Sequence, residues 1–118
     1  SIGSDNMMFS SPDLFREMDA ASRAARGATQ NPQAIDARYL LQAATVWGAR
    51  ALKLDRDIGT VEAGKTATFL VLNAENPSFV YSHHPVSSIV HRCSPADISW
   101  FVCYGVTVIR EGEFLLNL

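Results

Sequence analysis

Ile58-Gly59-Thr60-Val61-Glu62-Ala63-Gly64-Lys65-Thr66-Ala67-Thr68-Phe69-Leu70-Val71-Leu72 is the stretch at which the chain changes character. Two turn-like groups, Asp57-Ile58-Gly59 and Glu62-Ala63-Gly64-Lys65, stand in front of an apolar run over 67–72. A short apolar run bounded by turn residues predicts a strand. Upstream, Leu40, Leu41, Ala44, Trp47, Ala51 and Leu52 recur at helical spacing and predict a helix over 36–53. Gly48 within it costs roughly 1 kcal/mol relative to Ala, which close approach of another backbone could offset. Farther upstream, Leu14, Phe15, Met18, Ala21 and Ala25 form the stripe of a helix over 11–26. Ser11 reads as its N-cap, Pro12 as its first residue, Asp13 as a favourable charge at its positive end and Gly27 as its terminator. Arg16, Glu17, Asp19, Arg23 and Arg26 fill the opposite face.

Downstream, Asn76-Pro77 breaks the first strand, and further strands are predicted at 89–91, 98–103, 106–110 and 114–116. Tyr104-Gly105 and Glu111-Gly112-Glu113 read as hairpin turns between them. Two helices followed by about five strands define an α+β class.

The chain has 118 residues, which supports one domain and rarely two. A hydrophobic fraction of 47% excludes wholesale disorder. The formal charge of −2 argues against a nucleic-acid partner, which calls for a basic patch. No run reaches the roughly 18 apolar residues of a membrane helix, and no basic leader precedes an apolar core. Cys93 and Cys103 form no CxxC pair and read as partly buried free thiols in a reducing compartment. These features together predict a cytoplasmic protein with no membrane partner.

The ionisable inventory is thin. Asp5, in Gly3-Ser4-Asp5-Asn6, follows the apolar Ile2 on a Gly-flanked turn, like a strand running into a loop in a chain cut from something longer. A carboxylate at a strand end can hold a metal or move a proton. The same turn could serve only local hydrogen bonding. His83 and His84 are adjacent, and in an extended segment they point to opposite faces, a poor arrangement for one ion. His91 reads as an exposed or satisfied strand residue. No Gly-x-Ser-x-Gly elbow and no phosphate-binding Gly-rich loop is present. Composition and spacing alone stop at an α+β fragment without a complete site.

A resemblance carries further. Ala43-Ala44-Thr45-Val46-Trp47-Gly48-Ala49-Arg50-Ala51-Leu52-Lys53-Leu54, the stretch 58–72, His84-Pro85-Val86-Ser87-Ser88-Ile89-Val90 and the hairpins over 102–112 occur in an order that resembles the C-terminal portion of the metal-dependent amidohydrolases. The likeness is nearest the branch of cytosine and guanine deaminases, chlorohydrolases and S-adenosylhomocysteine deaminases. Thr68 stands where that family carries Asp, and Lys53 where it carries Gly.

The resemblance implies a fragment of a (β/α)8 barrel enzyme, two helices followed by strands of the accompanying β-sandwich. Residues 1–54 would end the barrel, with a strand-end turn and two helices, and residues 55–118 would form the C-terminal part of the sandwich. It implies that Asp5 is a metal ligand and catalytic proton relay, and that Asn6 contacts substrate. The cofactor would be a divalent metal, Zn or Fe, whose other ligands lie outside this chain. The reaction would be hydrolysis of a C–N bond of a small heterocyclic substrate, by deamination or a related step, or dechlorination. A homo-oligomer is expected, and the isolated piece is expected to be inactive. The alternative is a non-catalytic interaction or dimerisation domain, its two helices covering one face of a small sheet.

Overall fold

The computed structural model describes residues 1–5, 8 and 11–115. The first helix, α1 (Leu14–Thr29), is capped by Asp13, whose carboxylate accepts the N–H groups of Phe15 at 2.9 Å and Arg16 at 3.5 Å. A carboxylate satisfying two orphan donors at the positive helix end is a stronger cap than the Ser11 hydroxyl, so the helix starts later than expected. It also runs through Gly27. The Thr29 hydroxyl donates to the Ala25 carbonyl at 2.8 Å, and Gln30 (φ 51°) takes the left-handed capping position.

The helix expected over 36–53 is two helices, α2 (Ala37–Ala44) and α3 (Val46–Ala51). Thr45 separates them, with φ −125° and ψ −99°. Its hydroxyl donates back to the Leu41 carbonyl at 2.7 Å, the local bond by which Thr bends helices. After α3, the Lys53 N–H donates to the Arg50 carbonyl at 3.0 Å and the Leu54 N–H to the Ala49 carbonyl at 2.9 Å. With Lys53 at φ 59°, this is a Schellman end, whose left-handed residue is usually Gly.

The strands form one antiparallel sheet in the order β1 (Phe69–Leu72), β2 (Ile98–Cys103), β3 (Val106–Arg110), β4 (Glu113–Phe114). Phe69 pairs with Val102, Phe101 with Ile109 and Ile109 with Phe114. Both hairpins close as expected. Tyr104 and Gly105 have φ of 50° and 80°, and Glu111 and Gly112 have 52° and 81°, the double positive φ of turns that match strand twist.

The strand expected at 89–91 is instead a helix, α4 (Pro85–His91). Pro85 opens it, and Val86, Ile89 and Val90 fall at helical spacing; the run 89–91 alone is too short to show that period. This helix makes the fold. Val90 of α4, Met18 of α1 and Leu40 of α2 are the buried centre, with Ile2, Phe15, Ile35, Leu41 and Ile89 packed around them. The helices α1, α2 and α4 therefore bury their apolar faces against one another, while strands pack on strands. The arrangement in which two helices cover the sheet is not adopted. Leu70, Val71, Val106 and Phe114 of the sheet remain exposed.

The deciding stretch is a clamp. Lys65 Nζ donates to the Asp55 carbonyl at 2.8 Å and to Thr60 Oγ1 at 2.6 Å, and the Thr66 N–H donates to the Asp57 carbonyl at 2.8 Å. The loop so closed lies on α3 through Gly59 (φ 98°), where a Cβ would stand 2.7 Å from Ala49 Cβ and 3.2 Å from Val46 Cα. The close approach expected at Gly48 is thus found at Gly59. A Cβ on Gly48 would meet the Ala43 carbonyl at an ordinary 3.6 Å.

Candidate functional site

Asp5 is held by its neighbours. The Ile2 N–H donates to the Ala43 carbonyl at 3.2 Å at the end of α2, and the Ile2 side chain joins the Met18–Leu40–Val90 core. Residues 1–5 are irregular, so the strand end expected at Ile2 has no ladder partner among the described residues. Asp5 itself is exposed, with φ 39°, a left-handed conformation that Asp tolerates better than most residues. Among the described residues its carboxylate makes no hydrogen bond or ion pair, which leaves both oxygens available to an external group. Asn6, the expected substrate contact, lies outside the described residues.

The histidines separate. His83 is exposed. His84 is the exposed N-cap residue of α4, its N–H donating to Ser82 Oγ at 3.1 Å. His91, at the end of α4, reaches α1: Nδ1 lies 3.1 Å from Asp19 Oδ1, and Nε2 lies 3.5 Å from an Arg26 guanidinium nitrogen. A guanidinium only donates, so neutral His91 carries its proton on Nδ1 and turns the Nε2 lone pair toward Arg26. Arg23 Nε donates to the other Asp19 oxygen at 2.6 Å. Burial raises the Asp19 carboxyl, but the hydrogen bonds from His91 and Arg23 and the Arg23 charge outweigh it and hold the group below its ordinary value.

This cluster was not foreseen as a unit. The available signal was the spacing of Asp19, Arg23 and Arg26 along one helical face; its partner was hidden by the strand reading of His91.

Two further groups are structural. Asp97 is buried and accepts from the Ser94 N–H at 2.8 Å, Ser94 Oγ at 3.2 Å and Asn76 Nδ2 at 3.0 Å. Burial raises its carboxyl, and these bonds together hold it below its ordinary value. Burial, with Asp97 nearby, pushes the Cys93 thiol up to about 11, against a smaller opposing effect of Arg92. Cys93 and Cys103 are both free thiols, the first buried and the second half-buried.

The comparisons with known proteins agree with one another. Residues 1–106 match the sequence profile of the amidohydrolase family. This chain belongs to the amidohydrolase family.

A 5-methylthioadenosine/S-adenosylhomocysteine deaminase of Syntrophobacter fumaroxidans is 33% identical over 103 residues, 87% of this chain and 24% of that protein. A 5'-deoxyadenosine deaminase of Methanothermobacter thermautotrophicus is 35% identical over 101 residues, 86% of this chain and 23% of that protein. Among solved structures, an adenosine deaminase from Xanthomonas campestris with bound zinc superposes with a TM-score of 0.80 at 26% identity, covering 86% of this chain and 23% of that one. This amidohydrolase chain therefore spans about a quarter of the length of the curated relatives it matches.

Two departures from the family pattern have visible consequences. Thr68 Oγ1 accepts the Tyr104 N–H at 3.1 Å, an acceptor role a carboxylate also fills. Lys53 holds a backbone conformation that Gly adopts without strain.

The donor set sets a limit on metal binding. Among the described residues no group of three or more His, Cys, Asp and Glu side chains could hold a metal ion. Zinc needs three protein ligands for a catalytic centre and four for a structural one. The described residues do not by themselves fit the cation that the family implies.

Proposed function

We propose that this chain is the C-terminal portion of a longer metal-dependent amidohydrolase that deaminates a purine-bearing nucleoside. The observation that carries the reading is the family match over residues 1–106. The likeness to deaminases in both sequence and fold supports it. On this reading residues 1–54 close a (β/α)8 barrel and residues 55–118 belong to the adjoining β-sandwich, with α4 sent back to lock onto the barrel-side helices.

The reaction is hydrolysis of a C–N bond. Water adds to the ring carbon that bears the amino group, the C–N bond breaks, and ammonia leaves with the proton that water supplies. A divalent cation, Zn or Fe, would supply Lewis-acid chemistry in the complete protein. The segment's contribution is one carboxylate, Asp5, as a ligand and proton acceptor. Its exposed position on a turn anchored by Ile2, with no hydrogen bond to its carboxylate among the described residues, supports that role by leaving both oxygens free for a group outside this segment. Asn6, next in the chain, is assigned to substrate contact.

The test is ammonia release from adenosine, 5'-deoxyadenosine and S-adenosylhomocysteine. Three samples are compared: the longer gene product, its Asp5→Asn variant and the 118-residue chain. The longer protein should turn over at least one substrate. Asp5→Asn should lower kcat by about 10²–10⁴-fold, the range for a lost acid–base group. The chain alone should be inert. Turnover by the isolated chain, or an undiminished Asp5→Asn enzyme, would contradict the assignment.

One observation favours a second reading, a self-associating module: Leu70, Val71, Val106 and Phe114 leave apolar surface on the sheet. Sedimentation of the longer protein, read together with its activity, tests this sheet surface as the self-associating face. Its dissociation to monomers by Val71→Lys would support the self-associating reading, and a Val71→Lys protein of unchanged mass and activity would remove it.

A further inference from the structure

A cleft of about 530 Å³ opens between the C-terminal end of α1, the loop leading into α2, and α4. Its volume falls within the range of small-molecule sites. Its lining is divided. Arg26, Arg38, His84 and His91 supply charged or chargeable nitrogen, while Ile35 and Val86 are among the apolar walls.

Among the described residues the one carboxylate in the lining is Asp36, which accepts the Arg38 N–H at 2.8 Å as the cap of α2. Among the described residues neither the Arg26 nor the Arg38 side chain is in an ion pair. Among the described residues the polar contact of the Arg26 side chain is with His91 Nε2, at 3.5 Å, a weak contact at the limit of hydrogen bonding. Asp19, two turns earlier on α1, is shared by His91 and Arg23.

Two guanidinium groups in no ion pair among the described residues thus line one cleft with two histidines and a single carboxylate, Asp36, in a chain whose formal charge is −2. Guanidinium groups are the side chains best suited to bind phosphate through paired hydrogen bonds.

We infer that this cleft binds a small organic phosphate monoester, its phosphate held by Arg26 and Arg38 beside His91 and its organic part against Ile35 and Val86. The site is separate from Asp5 and does not depend on the deaminase reading. His91 is pre-set for the role: Asp19 fixes its ring from the Nδ1 side, so Nε2 faces the cleft. A bound phosphate oxygen would replace the Nε2 lone pair as the partner of Arg26. Protonated at Nε2, His91 would itself donate to the phosphate.

The experiment is a titration of the longer gene product with phenyl phosphate and, separately, inorganic phosphate at constant ionic strength, followed by amide and side-chain NMR shifts of selectively labelled Arg and His. Saturable shifts are expected at Arg26, Arg38 and His91, with the ester binding more tightly than inorganic phosphate. Arg26→Gln and Arg38→Gln should each weaken ester binding about tenfold or more, the loss of one charge-assisted hydrogen bond. Arg110→Gln, on the sheet over Trp100, should leave it unchanged. Absence of saturation by the ester at millimolar concentration would overturn the proposal. So would equal affinity for both anions, or an unchanged affinity in both cleft variants.

Discussion

Replacing Gly59 by Ala tests the contact on which the 55–66 loop is seated. Two separate effects oppose the substitution. Gly59 has φ 98°, where an L side chain is strained by roughly 1–2 kcal/mol. The added Cβ would also stand 2.7 Å from Ala49 Cβ and 3.2 Å from Val46 Cα, both backbone-anchored atoms that cannot rotate away. Overpacking of this kind costs roughly 1–3 kcal/mol. The reduced freedom of the unfolded chain returns about 0.4–1 kcal/mol. The expected net loss is about 2–4 kcal/mol, read as a fall in urea midpoint at unchanged slope.

Gly64→Ala is the internal control. Its φ of 90° is nearly the same, but a Cβ there meets nothing within 4 Å, so its loss should stay near 1 kcal/mol. Ala49→Gly, introduced into Gly59→Ala, should recover the steric part and leave the backbone part, giving a coupling of about 1–2 kcal/mol. A Gly59→Ala protein as stable as the Gly64→Ala one, or a strictly additive double variant, would refute the close packing of this loop on α3.

Three further outcomes follow from other parts of the chain. Lys53→Gly should stabilise by about 0.5–1 kcal/mol in thermal unfolding, since the Schellman end already holds Lys53 at φ 59°; a destabilised variant would show that the lysine side chain does more there than the backbone geometry indicates. Asp97 titrates below its ordinary value of 3.8 when folded, so its contribution is present above that pH and is lost as pH falls through the lower folded value. Asp97→Asn should therefore flatten the acid limb of a plot of urea midpoint against pH, and an unchanged limb would count against the Ser94 and Asn76 bonds. In thiol labelling at pH 8, Cys103 should react first, because a Cys93 pKa of about 11 leaves roughly one thiolate in a thousand and the residue is buried; equal rates in the native protein would contradict the burial.

Much of this architecture could be read from the residues because local chemistry and tertiary structure agree there. Tyr104-Gly105 and Glu111-Gly112 are hairpin turns in sequence and in space; β2 and β3 have the expected limits, whereas β4 starts at Glu113, one residue inside the expected turn, and residue 116 of the strand expected at 114–116 lies outside the described residues. The misreadings came where two local signals competed. Ser11 and Asp13 both offered caps, and the carboxylate won through two hydrogen bonds. Thr45 carries no strong breaker signal, yet its hydroxyl found the Leu41 carbonyl and divided a continuous apolar stripe. Ile89, Val90 and His91 have strand-like composition, and only Pro85 marked the helix that buries Val90 against Met18 and Leu40.

Of the candidate site, the sequence singles out Asp5 and Asn6; the structure leaves Asp5 exposed, and Asn6 lies outside the described residues. A turn sequence marks a carboxylate but not its surroundings, and no group of three or more metal-ligating side chains stands among the described residues. The His91–Asp19–Arg26 contact joins residues far apart in the chain and depends on α4 being a helix.

The central claim is that this segment brings one carboxylate to a metal centre completed by the remainder of a longer amidohydrolase. The most direct test is the zinc content of the isolated 118-residue chain, loaded with zinc and passed through gel filtration beside the longer gene product. The account predicts a full equivalent of retained metal on the longer protein and far less than one on the chain. Stoichiometric zinc on the chain alone would contradict it.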